Sequence, residues 1–187
     1  MPNNNIIEHV ESYLGEIDQG WNAPPESKNR FSVARFRNQP VEGMSTYVTL
    51  GLNHHILLMK KIEIRQELVF SVFESVPSDE IVSFLFRLID LILSKHEALL
   101  RGQVIGPGKP LFSESPMNAI YTSMPVIFEE GFNTFNGSSP PTILVWLIPI
   151  FESEARYVQE YGWEAFEDIL EKEDPDLWDL KRLLVID

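Results

Sequence analysis

Ile143-Leu144-Val145-Trp146-Leu147-Ile148-Pro149-Ile150-Phe151-Glu152-Ser153-Glu154-Ala155 allows only one arrangement at its start. Six consecutive apolar residues, 143–148, leave no polar face. A strand over 142–148 must therefore be covered on both sides and lie centrally in a sheet. Pro149 breaks the run, carboxylates begin at Glu152, and two short helices follow. The segment closes through Asp174-Pro175-Asp176-Leu177-Trp178-Asp179-Leu180-Lys181-Arg182.

The second of these helices, over 163–173, has two distinct sides. Trp163, Phe166, Ile169 and Leu170 fall at i, i+3, i+6 and i+7 and make an apolar side for a core. Glu164, Glu167, Asp168 and Glu171 fall at i, i+3, i+4 and i+7 and make a carboxylate stripe. Like charges at these spacings cost about 0.2–0.5 kcal/mol per pair in an isolated helix. The positive helix start and an Asp168–Lys172 pair offset part of that cost. Glu164, Glu167, Asp168 and Glu171 are therefore the candidate partner-binding residues, for a basic partner. A purely solubilising face is the competing explanation.

Charge is distributed in the same sense. The chain carries −13, and residues 129–187 hold 14 acids against Arg156, Lys172, Lys181 and Arg182, a local −10. Such a surface repels phosphate backbones, which argues against direct nucleic-acid binding, and it attracts basic proteins. The absence of cysteine excludes a disulfide scaffold, thiol catalysis and Cys-ligated zinc, and fits a reducing compartment. Met1-Pro2-Asn3-Asn4-Asn5 has neither a basic nor an apolar signal region, and the apolar block 81–93 is too short to span a bilayer and contains Arg87 and Asp90. The expectation is a cytoplasmic protein that stays out of membranes.

Upstream of the apolar run, Ile6, Val10, Leu14 and Ile17 share one face of a first helix over 6–17, followed by a loop at Asn22-Ala23-Pro24-Pro25. Strands are expected over 31–36, 46–50, 56–59 and 62–73. In the last, Ile62, Ile64, Leu68, Phe70 and Val72 alternate with Glu63, Arg65, Glu67 and Ser71. That alternation predicts a half-buried, antiparallel strand with one polar face. Ser78 then serves as a plausible N-cap for the longest helix, with Gly102 as its stop. Between Ile81 and Leu93 only Ser83, Arg87 and Asp90 are polar, on one narrow stripe continued by Ser94, so this helix is expected to be the central packing element. Another strand is expected over 119–128, and a loop over 133–141. Strands in runs rather than alternating with helices predict a single α+β domain over 1–187. It should contain a mixed, mainly antiparallel sheet packed against a long central helix, with acidic C-terminal helices.

Motifs for chemistry are missing. His54 and His55 are adjacent and would point to opposite faces of a strand, so they cannot share an ion without a turn. His96-Glu97 lacks the second histidine of a zinc helix, because Leu100 stands there. Gly108-Lys109 is followed by Pro110 where a phosphate loop needs Ser or Thr, and Gly137-Ser138-Ser139 lacks the second glycine of a nucleophile elbow. No catalytic residue, cofactor or metal ligand is assigned. The remaining enzymatic route is a hydrolase built from carboxylates gathered in a cleft.

Four patches resemble the suppressor of fused domain. They are Tyr47-Val48-Thr49-Leu50-Gly51-Leu52-Asn53, with Asn53 where the family has Ser; Ile64-Arg65-Gln66-Glu67-Leu68-Val69-Phe70; the turn from Gly106 to Leu111; and Leu147-Ile148-Pro149-Ile150 with Glu152, Glu154, Gly162, Phe166 and Arg182. The resemblance covers about residues 30–187, leaving 1–29 as an N-terminal helix and loop. The resemblance does not extend to the second, C-terminal domain of the animal proteins, so the chain is expected to be similar to the bacterial stand-alone form. It implies an α+β fold and a non-enzymatic protein-binding role. In animals such proteins sequester a transcription factor partly by accepting its peptide as an added strand. Bacterial relatives are thought to be immunity proteins that neutralise a cognate polymorphic toxin. The leading expectation is therefore an immunity protein contacting a basic toxin domain such as a nuclease. A peptide-binding adaptor using a sheet edge is the alternative.

Overall fold

The computed structural model of the chain describes residues 5–27 and 29–186. Helix α1 (Ile6–Leu14) leads into β1 (Gln19–Asn22), β2 (Ser32–Arg37) and β3 (Met44–Leu50), then a 3-10 turn (Leu52–His54), β4 (Leu57–Met59) and β5 (Ile62–Phe73). Helix α2 (Ser78–Lys95) follows, then β6 (Val104–Ile105), β7 (Ala119–Ser123), β8 (Thr134–Phe135) and β9 (Thr142–Ile150). Helices α3 (Glu152–Tyr161) and α4 (Trp163–Glu173) complete the order. The fold is α+β. The strand order is β1-β2-β3-β5-β9-β7-β6, with β4 added to β5 and β8 to β9. Pairing is mostly antiparallel, with β5 and β9 parallel. As its continuous apolar run requires, β9 is central and buried along nearly its whole length.

The chain divides into two compact units, residues 1–99 with 124–146, and residues 100–123 with 147–187. In the first, neighbouring residues of β5 show how the sheet is covered. Val69 joins a core cluster with Ile6, Val10 and Leu14 of α1, Phe36 and Val48. Phe70, pointing the other way, packs its ring 5.8 Å from that of Phe84 on α2. Both faces of β5 are therefore under a helix. Helix α2 buries Ile81, Leu85, Leu88, Ile89 and Ile92 and exposes the stripe Ser83, Arg87, Asp90 and Ser94.

Double coverage corrects the expectation of a solvent-facing side on β5. Gln66, Glu67 and Ser71 are buried, each with a partner. The Gln66 amide bonds both the N–H and the C=O of Leu99 at 2.8 and 2.7 Å, and Ser71 Oγ lies 2.8 Å from Thr46 Oγ1. Boundaries shift for local reasons as well. Helix α1 stops at Leu14 because Gly15 turns to φ +81, and the following residues form the edge strand β1 rather than more helix and loop. Helix α2 stops at Lys95, with His96 left-handed, well before Gly102. Ser78 does not cap it. Pro77 is the N-cap residue, and Ser78 Oγ instead accepts from Arg35 Nη1 at 3.0 Å and lies 2.8 Å from the Tyr47 hydroxyl. Strand β7 ends at Ser123, and β8 lies within the expected 133–141 loop.

In the second unit the Tyr121 ring of β7 meets Phe166 of α4 edge-on at 5.1 Å, beside the buried Ala155 and Val158 of α3. Gly102 (φ +80) lies directly under Trp163; a Cβ there would fall 2.3 Å from the indole. The contact that pins α4 thus requires glycine, and a helix stop is not the reason for it.

Candidate functional site

Helix α4 has the bounds its periodicity predicts, but its four carboxylates have different environments. Glu164, Asp168 and Glu171 are exposed. Glu167 is half-buried and turned toward β7. Its carboxylate accepts from Arg101 Nη2 at 2.5 Å, from the Tyr121 hydroxyl at 2.8 Å and from Ser123 Oγ at 3.2 Å. Burial alone would raise its pKa, but these donors and the Arg101 charge outweigh burial and hold it below the usual carboxylate range. Tyr121 is pushed strongly upward by burial and by its bond to Glu167, so it stays a neutral donor. Arg101 also stacks 4.7 Å from the centre of the Trp163 ring. Lys172 pairs with the adjacent Glu173 at 2.7 Å instead of reaching back to Asp168. The outward acidic surface of α4 is thus Glu164, Asp168 and Glu171, and Glu167 anchors the helix behind it.

The other carboxylates with unusual environments sit inside the scaffold. Glu67 is wholly buried and forms no ion pair among the described residues. Its oxygens accept from Thr49 Oγ1 at 2.5 Å, the Gly51 N–H at 2.8 Å and the Asn53 N–H at 3.0 Å. Desolvation outweighs these donors and pushes its pKa up to about 8. Arg65 grips the same turn from outside, donating from Nη1 to the Asn53 carbonyl at 2.6 Å. Two stretches distant in sequence, 47–53 and 64–70, are therefore locked together by their polar residues.

Glu154, equally buried, takes the opposite solution. Arg182 Nη1 and Nη2 reach its two oxygens at 2.7 Å each, and the N–H groups of Phe151 and Val185 add bonds of 3.0 and 3.1 Å. This fork ties the start of α3 to the C-terminal segment, which Ser115 also holds through the Leu180 carbonyl at 2.7 Å. Gly106, at φ +107, lets its turn approach Asn118; a Cβ there would lie 2.9 Å from the Asn118 carbonyl oxygen.

His54 and His55 sit in and just after the 3-10 turn, and His55 is lowered by burial and by the neighbouring cations. Among the described residues, no group of three or more His, Asp or Glu is placed to hold a metal ion. Nor is any helix long and apolar enough to cross a membrane.

The fold has clear relatives among solved structures. A suppressor of fused homologue from Neisseria gonorrhoeae superposes with a TM-score of 0.81 at 16% identity, covering 98% of this chain and 96% of that one. Drosophila Suppressor of Fused gives 0.69 at 12% identity, over 97% of this chain and 50% of that one. A chain of the Sufu–Fu complex gives 0.67 at 12% identity, over 89% of this chain and 82% of that one. In sequence, residues 27–183 match the profile of the suppressor of fused protein, and the chain belongs to that family. It is also 26% identical over 165 residues to the immunity protein YqcF of Bacillus subtilis, covering 86% of this chain and 85% of that protein.

Proposed function

We propose that this chain is a bacterial immunity protein, a non-enzymatic inhibitor that neutralises a cognate toxin by direct contact. The observation that carries the reading is the likeness to the Bacillus immunity protein along most of both chains, within a shared family. Its geometry supports a binding role. The polar residues of the family patches, Glu67, Arg65, Glu154 and Arg182, are engaged in holding backbone segments together, which leaves the exposed surface to vary with the partner.

The contact surface we assign is the outward row of α4, Glu164, Asp168 and Glu171, held in place by Glu167 through Arg101 and Tyr121. Fixed carboxylates on a rigid helix speed the encounter with a basic domain such as a nuclease, an effect that salt screens. The test is co-expression with the toxin encoded beside the gene. The wild-type chain should co-purify with it and rescue growth. Reversing Glu164, Asp168 and Glu171 to Lys should slow association at least about tenfold at low salt and much less at high salt. Absence of any complex and of rescue would overturn the immunity reading, whereas an unchanged, salt-insensitive rate would remove only α4 from the interface. A second reading follows from β1, an exposed edge strand. An adaptor pairing a peptide there would show a weak salt dependence and would survive the α4 reversal.

A further inference from the structure

The first compact unit contains a cleft that the binding role above does not use. Its volume is about 730 Å³, and it lies between the first turn of α1, residues 22–25, 27 and 29–32, and the end of β3. Its floor is apolar, with Ile6 and Phe31 both buried and Leu50 beside them. Its rim carries Asn5, Arg30 and His54. In a chain with 28 acids, no Asp or Glu lines it among the described residues, so the local sign is opposite to that of the molecule as a whole. Arg30 and His54 are both exposed, and neither forms an ion pair among the described residues. The positive end of α1, whose Ile7 N–H is held by Asn5 Oδ1 at 3.0 Å, opens on the same space.

One wall is unusually well defined. Gly51 stands at φ +110, where a Cβ would lie 3.0 Å from the Arg30 carbonyl oxygen and 3.2 Å from Phe31 Cα. The absence of that methyl lets the segment bearing Arg30 lie flat against the end of β3. From behind, the Gly51 N–H is tied to Glu67. The cleft is thus a built feature with a fixed back, an apolar floor and Arg30 and His54 at its mouth. Its volume falls within the range of about 300–1,000 Å³ that small-molecule sites occupy.

We infer that this cleft binds a small organic anion, an apolar body bearing a carboxylate or phosphate. The body lies on Ile6, Phe31 and Leu50, and the anionic group lies between Arg30, His54 and the start of α1. The Arg30 guanidinium, with the His54 ring beside it and no carboxylate among the described lining residues, selects the charge, and the buried floor selects against inorganic ions.

Amide NMR titration of the full chain tests this, with phenyl phosphate and 3-phenylpropionate as probes and benzyl alcohol and inorganic phosphate as controls. At least one organic anion should give saturable shifts centred on Ile7, Ala23, Ser32 and Gly51; which of the two binds tighter identifies the anionic group. Benzyl alcohol and inorganic phosphate should each bind at least about tenfold more weakly. Arg30→Gln and His54→Gln, both surface changes, should each weaken binding by roughly five- to tenfold. Arg87→Gln, on the exposed stripe of α2, should leave it unchanged. The inference fails if neither anion saturates below about 10 mM, if benzyl alcohol binds as well, or if both rim variants keep wild-type affinity.

Discussion

Glu67 and Glu154 are both shut away from water, one in each compact unit, and the chain accommodates them in opposite ways. Glu67 is held by a hydroxyl and two peptide N–H groups supplied from 14–18 residues earlier in the sequence, with no ion pair among the described residues. Glu154 is held by a guanidinium that arrives from 28 residues later. Desolvation outweighs the three donors, so Glu67 keeps its proton at neutral pH and still binds its turn, Oε2 donating to Thr49 Oγ1 while Oε1 accepts the two N–H groups. The ion pair differs in its dependence on both partners, since removing either one strands a charge in the interior. The same residue type therefore acts as a titratable brace in one unit and as a fixed fork in the other.

The sharpest way to break this comparison is Arg182→Ala. Leaving Glu154 without its cation should cost about 3–5 kcal/mol in urea unfolding. Hydrogen exchange should show the segment around Val185 losing protection first. Replacing both partners, as Glu154→Leu with Arg182→Met, should recover most of that loss, because an apolar pair leaves no stranded charge. Thr49→Val comes next. It removes a partner of Glu67 and also the acceptor of the Leu68 N–H at 2.8 Å, so a loss of about 1–3 kcal/mol is expected.

Glu67→Gln should cost less than about 1 kcal/mol near pH 6, since a neutral amide can serve the same partners. Its pH dependence is the informative part. The folded state holds the Glu67 proton more tightly than the unfolded chain does. The stabilisation from this group is therefore complete below its ordinary value of 4.5 and is lost as pH rises to about 8. Stability curves of wild type and Glu67→Gln measured between those limits should diverge in favour of Gln as pH rises. A constant difference would mean that Glu67 is ionised throughout. The smallest effect is expected outside both braces. Glu171→Lys replaces like-charge neighbours at Glu167 and Asp168 with favourable ones, and should raise thermal stability by only about 0.2–0.5 kcal/mol.

Much of this was legible in the sequence. The uninterrupted 143–148 run placed β9 centrally, the stripe Ser83, Arg87, Asp90 and Ser94 marked the open side of α2, and the spacing of Trp163 and Phe166 set α4. The solvation of polar residues was not legible. Alternation along β5 indicates two kinds of side chain, but it does not reveal that helices cover both faces, so Glu67 and Ser71 resembled surface residues. Glu167 sits in the acidic stripe by spacing alone, and its rotation toward Arg101 depends on residues 66 positions away. The cleft gave no sequence signal, because it is assembled from three segments and its defining property is a lack of acids. Likewise Gly51 and Gly102 stand in ordinary sequence surroundings, and only close backbone or ring approach explains them.

The parallel pairing of β5 with β9 has a consequence for how the chain is made. Arg65 lies opposite Thr142 and Val69 opposite Trp146, so the partners stand 77 positions apart in the chain. Closing so long a loop precedes any reward from the contacts, which places this protein among the slower folders of its size. During synthesis at about 5–20 residues per second, β5 waits several seconds for its neighbour with an apolar edge open. In that interval the nascent chain is most vulnerable to self-association, and a chaperone that shields Leu68 to Val72 would act there.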